Sequence, residues 1–392
     1  MKFSRADRSR LAEWWFTVDR ALIFAILLLV ATGLVLSLAA SPAVAVKKGL
    51  PAYYFVERHL AFSAAGVAIM LAVSLLGPAS VRRLALVVLL GSLTGLVFVY
   101  VAGEEINGAR RWLSISGHSI QPSEFAKPAF IVVSAWLLAE ARRRPDMPAL
   151  SIAIVLLAVV AGLIVVQPDV GQTFLVAMVW MVMLFVSGLA ATGAVLLAGA
   201  GIAGLVSAYV YFPHVASRID RFFSSQPGEF SQGERAMRSF VEGGFLGRGP
   251  GEGTIKTSLP DAHTDYIFAV VAEEYGAIAC VGLLLLFTFV VVRALRHAEH
   301  EIDAATRLGI VGLALIFGFQ ALINMGVNVG LLPAKGMTLP FLSAGGSSLL
   351  AISLTLGMLL ALTRRRPDAD RLRKPPLMPS MPSLAGTSGP RS

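Results

Sequence analysis

Ten apolar runs, most of them about the length of a bilayer-crossing helix, leave this chain few folds to choose from. They cover residues 21–40, 59–77, 84–102, 123–141, 150–166, 171–187, 190–212, 265–292, 306–331 and 343–363. A hydrocarbon core about 30 Å thick needs roughly 20 apolar residues in a helix, and backbone facing lipid must satisfy its hydrogen bonds internally. The fold class expected is therefore an all-α polytopic membrane protein of about ten transmembrane helices. Only 15% of the 392 residues are charged, well below the roughly 25% of a soluble domain. The first run follows basic residues and precedes Ala43-Val44-Ala45, which resembles a signal-peptidase site. The run is longer than a signal core and is read as an uncleaved first span.

The net charge of +9 would suit nucleic acid if it were gathered on one surface. It falls instead in short clusters between apolar runs, so nucleic acid is excluded as a partner. Lys2, Arg5, Arg8, Arg10, Arg82-Arg83, Arg142-Arg143-Arg144, Arg293, Arg296 and Arg364-Arg365-Arg366 mark one face as cytoplasmic, with both termini there. The domain plan is a cytoplasmic segment 1–20, a membrane domain 21–363 and a basic, Pro-rich tail 364–392. The tail is expected to be disordered: a solubilising segment beside anionic lipid or, alternatively, a binding segment for a cytosolic partner. The loop 213–264, between helices 7 and 8, is the large extracytoplasmic one. Cys280, the single cysteine, excludes an internal disulfide and reads as a small core residue. No internal repeat is visible.

Charge at a membrane boundary marks candidate sites, because it is costly there. The loop 213–264 ends in Gly243-Gly-Phe-Leu-Gly-Arg-Gly-Pro-Gly-Glu-Gly253, then Leu259-Pro-Asp-Ala-His-Thr-Asp-Tyr266, and enters an apolar run holding Glu273 and Glu274. Six glycines permit close approach to a ligand. The segment lacks the endings of a P-loop or dinucleotide fingerprint, so ATP and NAD are unsupported. Asp265 is the sharpest candidate: a base or cation ligand, or else a plain helix cap in competition with Thr264. Glu273 and Glu274 lie deeper, and at least one must meet a polar cavity or a cationic partner.

Two further stretches stand out. In Asn107-Gly-Ala-Arg-Arg-Trp112 and Gln121-Pro-Ser-Glu-Phe-Ala-Lys127, Arg110, Arg111 and Lys127 could hold an anion, with Trp112 as interfacial anchor. The bland alternative is a capped helix with a Glu124–Lys127 pair. Gln167-Pro-Asp169 reads as a tight turn with an exposed carboxylate. Asn324 and Asn328 share a helix face before Lys335–Ser348, an outer loop whose small residues let helices or a lipid tail pack closely. His297-Ala-Glu-His300 lacks metal-motif spacing and reads as a solvated connector.

Asn-Gly-Ala-Arg-Arg-Trp at 107–112, Gln-Pro-Ser-Glu-Phe-Ala-Lys at 121–127, Gln-Pro-Asp at 167–169, Leu-Pro-Asp-Ala-His-Thr-Asp-Tyr at 259–266 and Gly-Gly-Ser-Ser at 345–348 occur in one order. That ordered set resembles the SEDS family (shape, elongation, division, sporulation). The version at 335–343 looks more like the family's division branch than its elongation branch. The resemblance implies a peptidoglycan glycosyltransferase of the cytoplasmic (inner) membrane, acting at the division septum with its site facing the periplasm. It would polymerise lipid II into glycan strands, with a class B penicillin-binding protein and other divisome proteins as partners. The family's essential acid maps onto Asp265. Gln172 stands where Thr is usual and Ala344 where Tyr is usual.

Three tasks follow for such a reaction: deprotonating a sugar hydroxyl, stabilising departing pyrophosphate and holding prenyl tails. The first is assigned to Asp265, directly or through a divalent cation, since no cofactor is otherwise implied. The pyrophosphate set is Arg111 and Lys127, with Glu124, Arg248, Lys256 and His263; the supporting set is Trp112, Asp169, Glu273, Glu274, Ser347 and Ser348. Lys127, on a helix, should matter more than Lys256, in a mobile loop. A lipid II flippase and a non-catalytic division scaffold are the rival readings.

Overall fold

A computed structural model describes residues 9–106, 109–115, 117–188, 232–333 and 336–365, together with scattered positions from 199 to 220. The seventh run, 190–212, and the tail beyond residue 365 lie largely or wholly outside the described residues, as do Asn107 and Gly108. Seven described helices are long and apolar enough to cross a membrane. They are α2 (Arg20–Lys47), α3 (Tyr54–Ser74), α4 (Pro78–Ala102), α6 (Ala149–Val166), α9 (Ile267–Glu299), α10 (Ala304–Asn328) and α11 (Gly346–Thr363). Two more match sequence runs. α5 (Pro122–Arg143) carries Glu124, Lys127, Glu140 and a basic end, and α7 (Val170–Val186) is a shorter apolar helix. The remaining helices are α1 (Arg10–Thr17) and α8 (Gln232–Gly243).

The chain separates into two units. The smaller joins both chain ends: Arg364 donates from Nε to the Thr17 hydroxyl at 3.1 Å, and the Arg365 N–H donates to the Thr17 carbonyl. The larger runs from Asp19 to Thr363. There Asp19 caps α2, accepting from Ala21 and Leu22 N–H at 3.0 and 3.1 Å. It also ties α2 to the far end of α9 through Arg293 and His297, at 2.7 and 2.6 Å. Burial works against the Asp19 carboxylate, but the hydrogen bonds from those two side chains outweigh it and bring its pKa to about 2.

α10 and α11 are buried over most of their length, whereas α4 turns Leu86, Val87, Leu90, Val97, Phe98 and Val101 outward. Such a face suits lipid, and the protein is an integral membrane protein. Glycine brings α3 and α11 close: a Cβ on Gly357 would stand 2.9 Å from the Met70 carbonyl.

The all-α expectation needs one correction. Residues 104–120 form a three-stranded antiparallel sheet, β1 (Glu104–Ile106), β2 (Ala109–Ile115) and β3 (His118–Ile120). Trp112 pairs opposite Glu104, and Leu113 opposite Ile120. Gly117, at φ +80°, lies in the turn between β2 and β3. This short stretch lacks the length of a span, and hydropathy alone does not mark it as strands.

Candidate functional site

Asp265 sits in a turn closed by Asp261, whose carbonyl accepts the N–H of Thr264 and of Tyr266, both at 3.1 Å. α9 then starts at Ile267 behind Tyr266, whose own side chain makes no capping hydrogen bond. The cap comes from another helix: Asn328 on α10 accepts the Ala269 N–H through Oδ1 at 3.0 Å. The same Asn328, with Asn324, donates to the Asp265 peptide carbonyl, each at 2.9 Å.

Arg111 lies close by. On β2 successive side chains point to opposite faces, so Arg110 turns to solvent and pairs with Glu105 while Arg111 turns inward. The expected trio of Arg110, Arg111 and Lys127 is thereby split. Arg111 donates from Nε to the Gln167 carbonyl at 3.0 Å and from Nη2 to the Pro168 carbonyl, and Nη1 lies 3.5 Å from Asp169. A methyl on exposed Gly336 would stand 3.9 Å from the Asp265 carboxylate and 4.0 Å from Arg111 Nη1. Both groups thus come close to one point beside Gly336.

Asp169 is buried, contrary to the exposed turn carboxylate expected. Its Oδ1 caps α7 by accepting the Gln172 N–H at 3.3 Å, and Gln121 reaches Oδ2 at 3.4 Å. Burial raises its pKa against the opposing pull of Arg111. Pro and Asp are ordinary turn residues; only the tertiary arrangement places a β-strand arginine over this turn.

Lys127 is buried too. Its Nζ lies 2.9 Å from Glu124 and donates to Gln320 Oε1 at 3.1 Å, while Gln172 Nε2 donates to the other Glu124 oxygen at 2.5 Å. Gln320 Nε2 continues to the Thr338 carbonyl at 3.1 Å, and the Thr338 hydroxyl meets that of Ser348 at 2.5 Å. Gln172, where Thr is usual, gives the Glu124–Lys127 pair a further partner. Ser347, beside Ser348, is partly exposed. Trp112 is half-buried on β2.

The glycine-rich segment serves the chain itself. α9 breaks at Gly276 (φ 78°, ψ 179°), and the backbone groups freed there pair with the 244–249 turn. Arg248 and Gly249 N–H donate to the Glu273 and Glu274 carbonyls at 2.9 and 3.0 Å, and Ala277 N–H donates to the Gly244 carbonyl at 2.9 Å. A Cβ on Gly243, Gly247 or Gly276 would collide with facing backbone, so at these positions the segment and α9 approach each other closely. The Glu273 carboxylate accepts three backbone N–H groups, Thr254 and Ile255 at 2.6 Å and Lys256 at 3.0 Å. Glu274 holds the Gly251 N–H at 3.1 Å and pairs with Lys256. Lys256, far from mobile, is buried, and its Nζ also donates to the Ala39 carbonyl at 3.1 Å. Arg248 pairs with Glu242. These four residues form a clamp on the loop, separate from the partners given above for Asp265.

His263 packs against Phe55, ring centroids 4.5 Å apart. Burial, with Lys48 nearby, depresses its pKa to about 4. It is neutral near pH 7 and offers a pyrophosphate no charge. Among the described residues no group of three or more His, Cys, Asp or Glu side chains could hold a metal ion. The sequence reading missed Gln320, although it lies four residues before Asn324 on the same helix face.

Comparison with known proteins agrees along nearly the whole chain. A protein of Caulobacter vibrioides called probable peptidoglycan glycosyltransferase FtsW is 44% identical over 368 residues, 94% of each chain. One of the same name from Trichlorobacter lovleyi is 34% identical, covering 90% of this chain and 94% of its own. Among solved structures, a chain from work titled "Structural coordination of polymerization and crosslinking by a peptidoglycan synthase complex" aligns with TM-score 0.74 at 30% identity, covering 89% of this chain and 98% of that one. The rod shape determining protein RodA of Thermus thermophilus aligns with TM-score 0.64 at 28% identity, covering 89% and 97%. The profile described as "Cell cycle protein", named for FtsW, RodA and SpoVE, matches residues 19–367, and with that match the chain belongs to this family.

Proposed function

We propose that this chain is the septal peptidoglycan glycosyltransferase of its cell, polymerising lipid II at the outer face of the cytoplasmic membrane. The observation that carries the reading is the approach of a partly exposed carboxylate, Asp265, and of the Arg111 guanidinium, held by the Gln167–Asp169 turn, to one point beside Gly336. Asp265 removes the proton from the acceptor sugar hydroxyl. The oxygen attacks the anomeric carbon of the donor, and the bond from that carbon to the pyrophosphate oxygen breaks. The electron pair leaves with the pyrophosphate, beside Arg111. A preorganised cation stabilises such developing charge without reorganisation. Lys127, buried against Glu124 and Gln320, acts by ordering the helices behind the site rather than by meeting the leaving group.

Ten spans, with both termini in the cytoplasm and the 213–264 region outside, fit the Arg-rich clusters and put Asp265 on the periplasmic side. A class B penicillin-binding protein is the proposed partner, supported by the likeness to a chain of a synthase complex that couples polymerization to crosslinking. Purified chain supplied with fluorescent lipid II, with and without that partner, tests the reading. Glycan polymer on a gel supports it. Flipping in vesicles without polymer indicates a transporter instead, and neither activity indicates a scaffold.

A further inference from the structure

Gln320, Asn324 and Asn328 are four residues apart on α10, so a 3.6-residue helix presents them on one face. All three are buried, at 1%, 2% and 0% exposure. Uncharged amides so deep need partners, since an unsatisfied buried amide costs on the order of 1–3 kcal/mol. Their partners converge on the segments around the site. Gln320 donates to the Thr338 carbonyl at 3.1 Å, and Asn324 to the Met337 carbonyl at 2.6 Å. Asn324 and Asn328 then both donate to the single carbonyl oxygen of Asp265, while Asn328 accepts from Ala269.

Two donors on one carbonyl use both of its lone pairs and fix the orientation of the peptide that carries Asp265. The Thr338 and Met337 bonds fix the segment that follows Gly336, the residue that both Asp265 and Arg111 approach. One rigid helix face therefore holds the backbone at Asp265 and at 337–338 alike. Rotation of a peptide next to a reacting side chain displaces that side chain by ångströms, and misplacement of about 1 Å can reduce rate by about 10²-fold.

We propose that the amide face of α10, through Asn324 and Asn328, is the positioning device that aims Asp265 at its substrate. The inference rests on Asp265 acting as the base. The amides touch no reacting atom; they are positioning residues.

Asn324→Asp and Asn328→Asp keep size and shape but replace the donating NH₂ with an oxygen. In Asn328→Asp the acceptor for Ala269 survives, so the cap of α9 remains while one of the two donors to the Asp265 carbonyl is lost. The experiment compares lipid II polymerisation by wild type, each variant, Asp265→Asn and the doubles Asp265→Asn/Asn324→Asp and Asp265→Asn/Asn328→Asp, all as full chains with partner. The single amide variants are expected to lower kcat about tenfold with KM for lipid II within twofold. In the Asp265→Asn background they are expected to cost less than a further twofold, because residues acting as a unit are non-additive. Losses that multiply fully in the doubles, or a rise in KM with kcat unchanged, overturn the proposal in favour of a general structural role. Wild-type activity in both well-assembled singles overturns it as well, while leaving an inactive Asp265→Asn and the base assignment standing. Full activity of Asp265→Asn itself would remove the base and this inference with it. Should Asn328→Asp fail to assemble, Asn324→Asp carries the same comparison, since Asn324 takes no part in the Ala269 cap.

Discussion

At the scale of single residues, the carboxylates of this chain divide by what surrounds them. Glu273 and Glu274 are buried with their hydrogen bonds supplied by the loop they hold, whereas Asp265 is partly exposed beside Gly336. Asp265→Asn is expected to lower polymerisation by roughly 10²-fold or more, the usual scale for loss of a general base. Asp261→Asn should cost much less, because Asp261 shapes the turn through its backbone carbonyl. Lipid II assays on equal amounts of membrane-inserted protein decide this. Lys256→Met strands Glu274 as a buried, unpaired charge, expected to cost about 3–5 kcal/mol. Adding Glu274→Gln should recover much of it, as thermal unfolding in detergent would register. The ranking of Lys127 above Lys256 from their apparent mobility therefore loses its basis. His263 sets a pH dependence. Its pKa falls from 6.5 to about 4 on burial, so between those values the unfolded chain binds a proton that the folded chain refuses. Stability should then decline as pH drops from about 6.5 towards 4, by up to about 1.4 kcal/mol per pH unit. Melting temperatures of His263→Gln between pH 7 and 5 should lack that component.

At the scale of elements, the break in α9 is decisive. Gly276, at φ 78° and ψ 179°, occupies a region essentially reserved for glycine. The opening lets the 244–249 turn bond to backbone that an unbroken helix would keep to itself. Gly276→Ala is expected to destabilise by more than about 1–3 kcal/mol, since facing backbone at Phe245 and Gly247 must also move. Limited proteolysis within 244–258 should accelerate. Gly282→Ala, one turn and a half further along the same helix with open space around it, should be neutral or stabilise by about 0.5–1 kcal/mol. Equal sensitivity of the two variants would mean that the break holds nothing in place. The loop was legible as glycine-rich, but its glycines announce close approach without saying to what, and at Gly243 and Gly247 the partner is α9.

At the scale of the whole molecule, the proposed orientation rests on where Lys and Arg fall. With Cys280→Ser as background, a cysteine replacing exposed Thr257 should react with an impermeant thiol reagent in cells whose outer barrier is opened. A cysteine replacing exposed Ile302 should not. The reverse pattern would place Asp265 on the wrong side for a periplasmic polymerase.

Membrane embedding, the apolar runs and the family were all readable in the linear chain, because bilayer thickness dictates helix length and because short motifs recur in order. Asp265 and Arg111 were likewise nameable as charges that a membrane boundary tolerates only for cause. What the chain could not state was pairing. Glu274 with Lys256, Asp169 with Arg111 and the α10 amides with the Asp265 carbonyl join positions 18 to 63 residues apart. Hydropathy and local propensity describe each residue against its near neighbours, while a buried polar group is satisfied by whichever element packs against it. Only the packing of α10 on α9 makes two ordinary asparagines a clamp, and only the break at Gly276 turns a glycine-rich loop into part of the membrane domain.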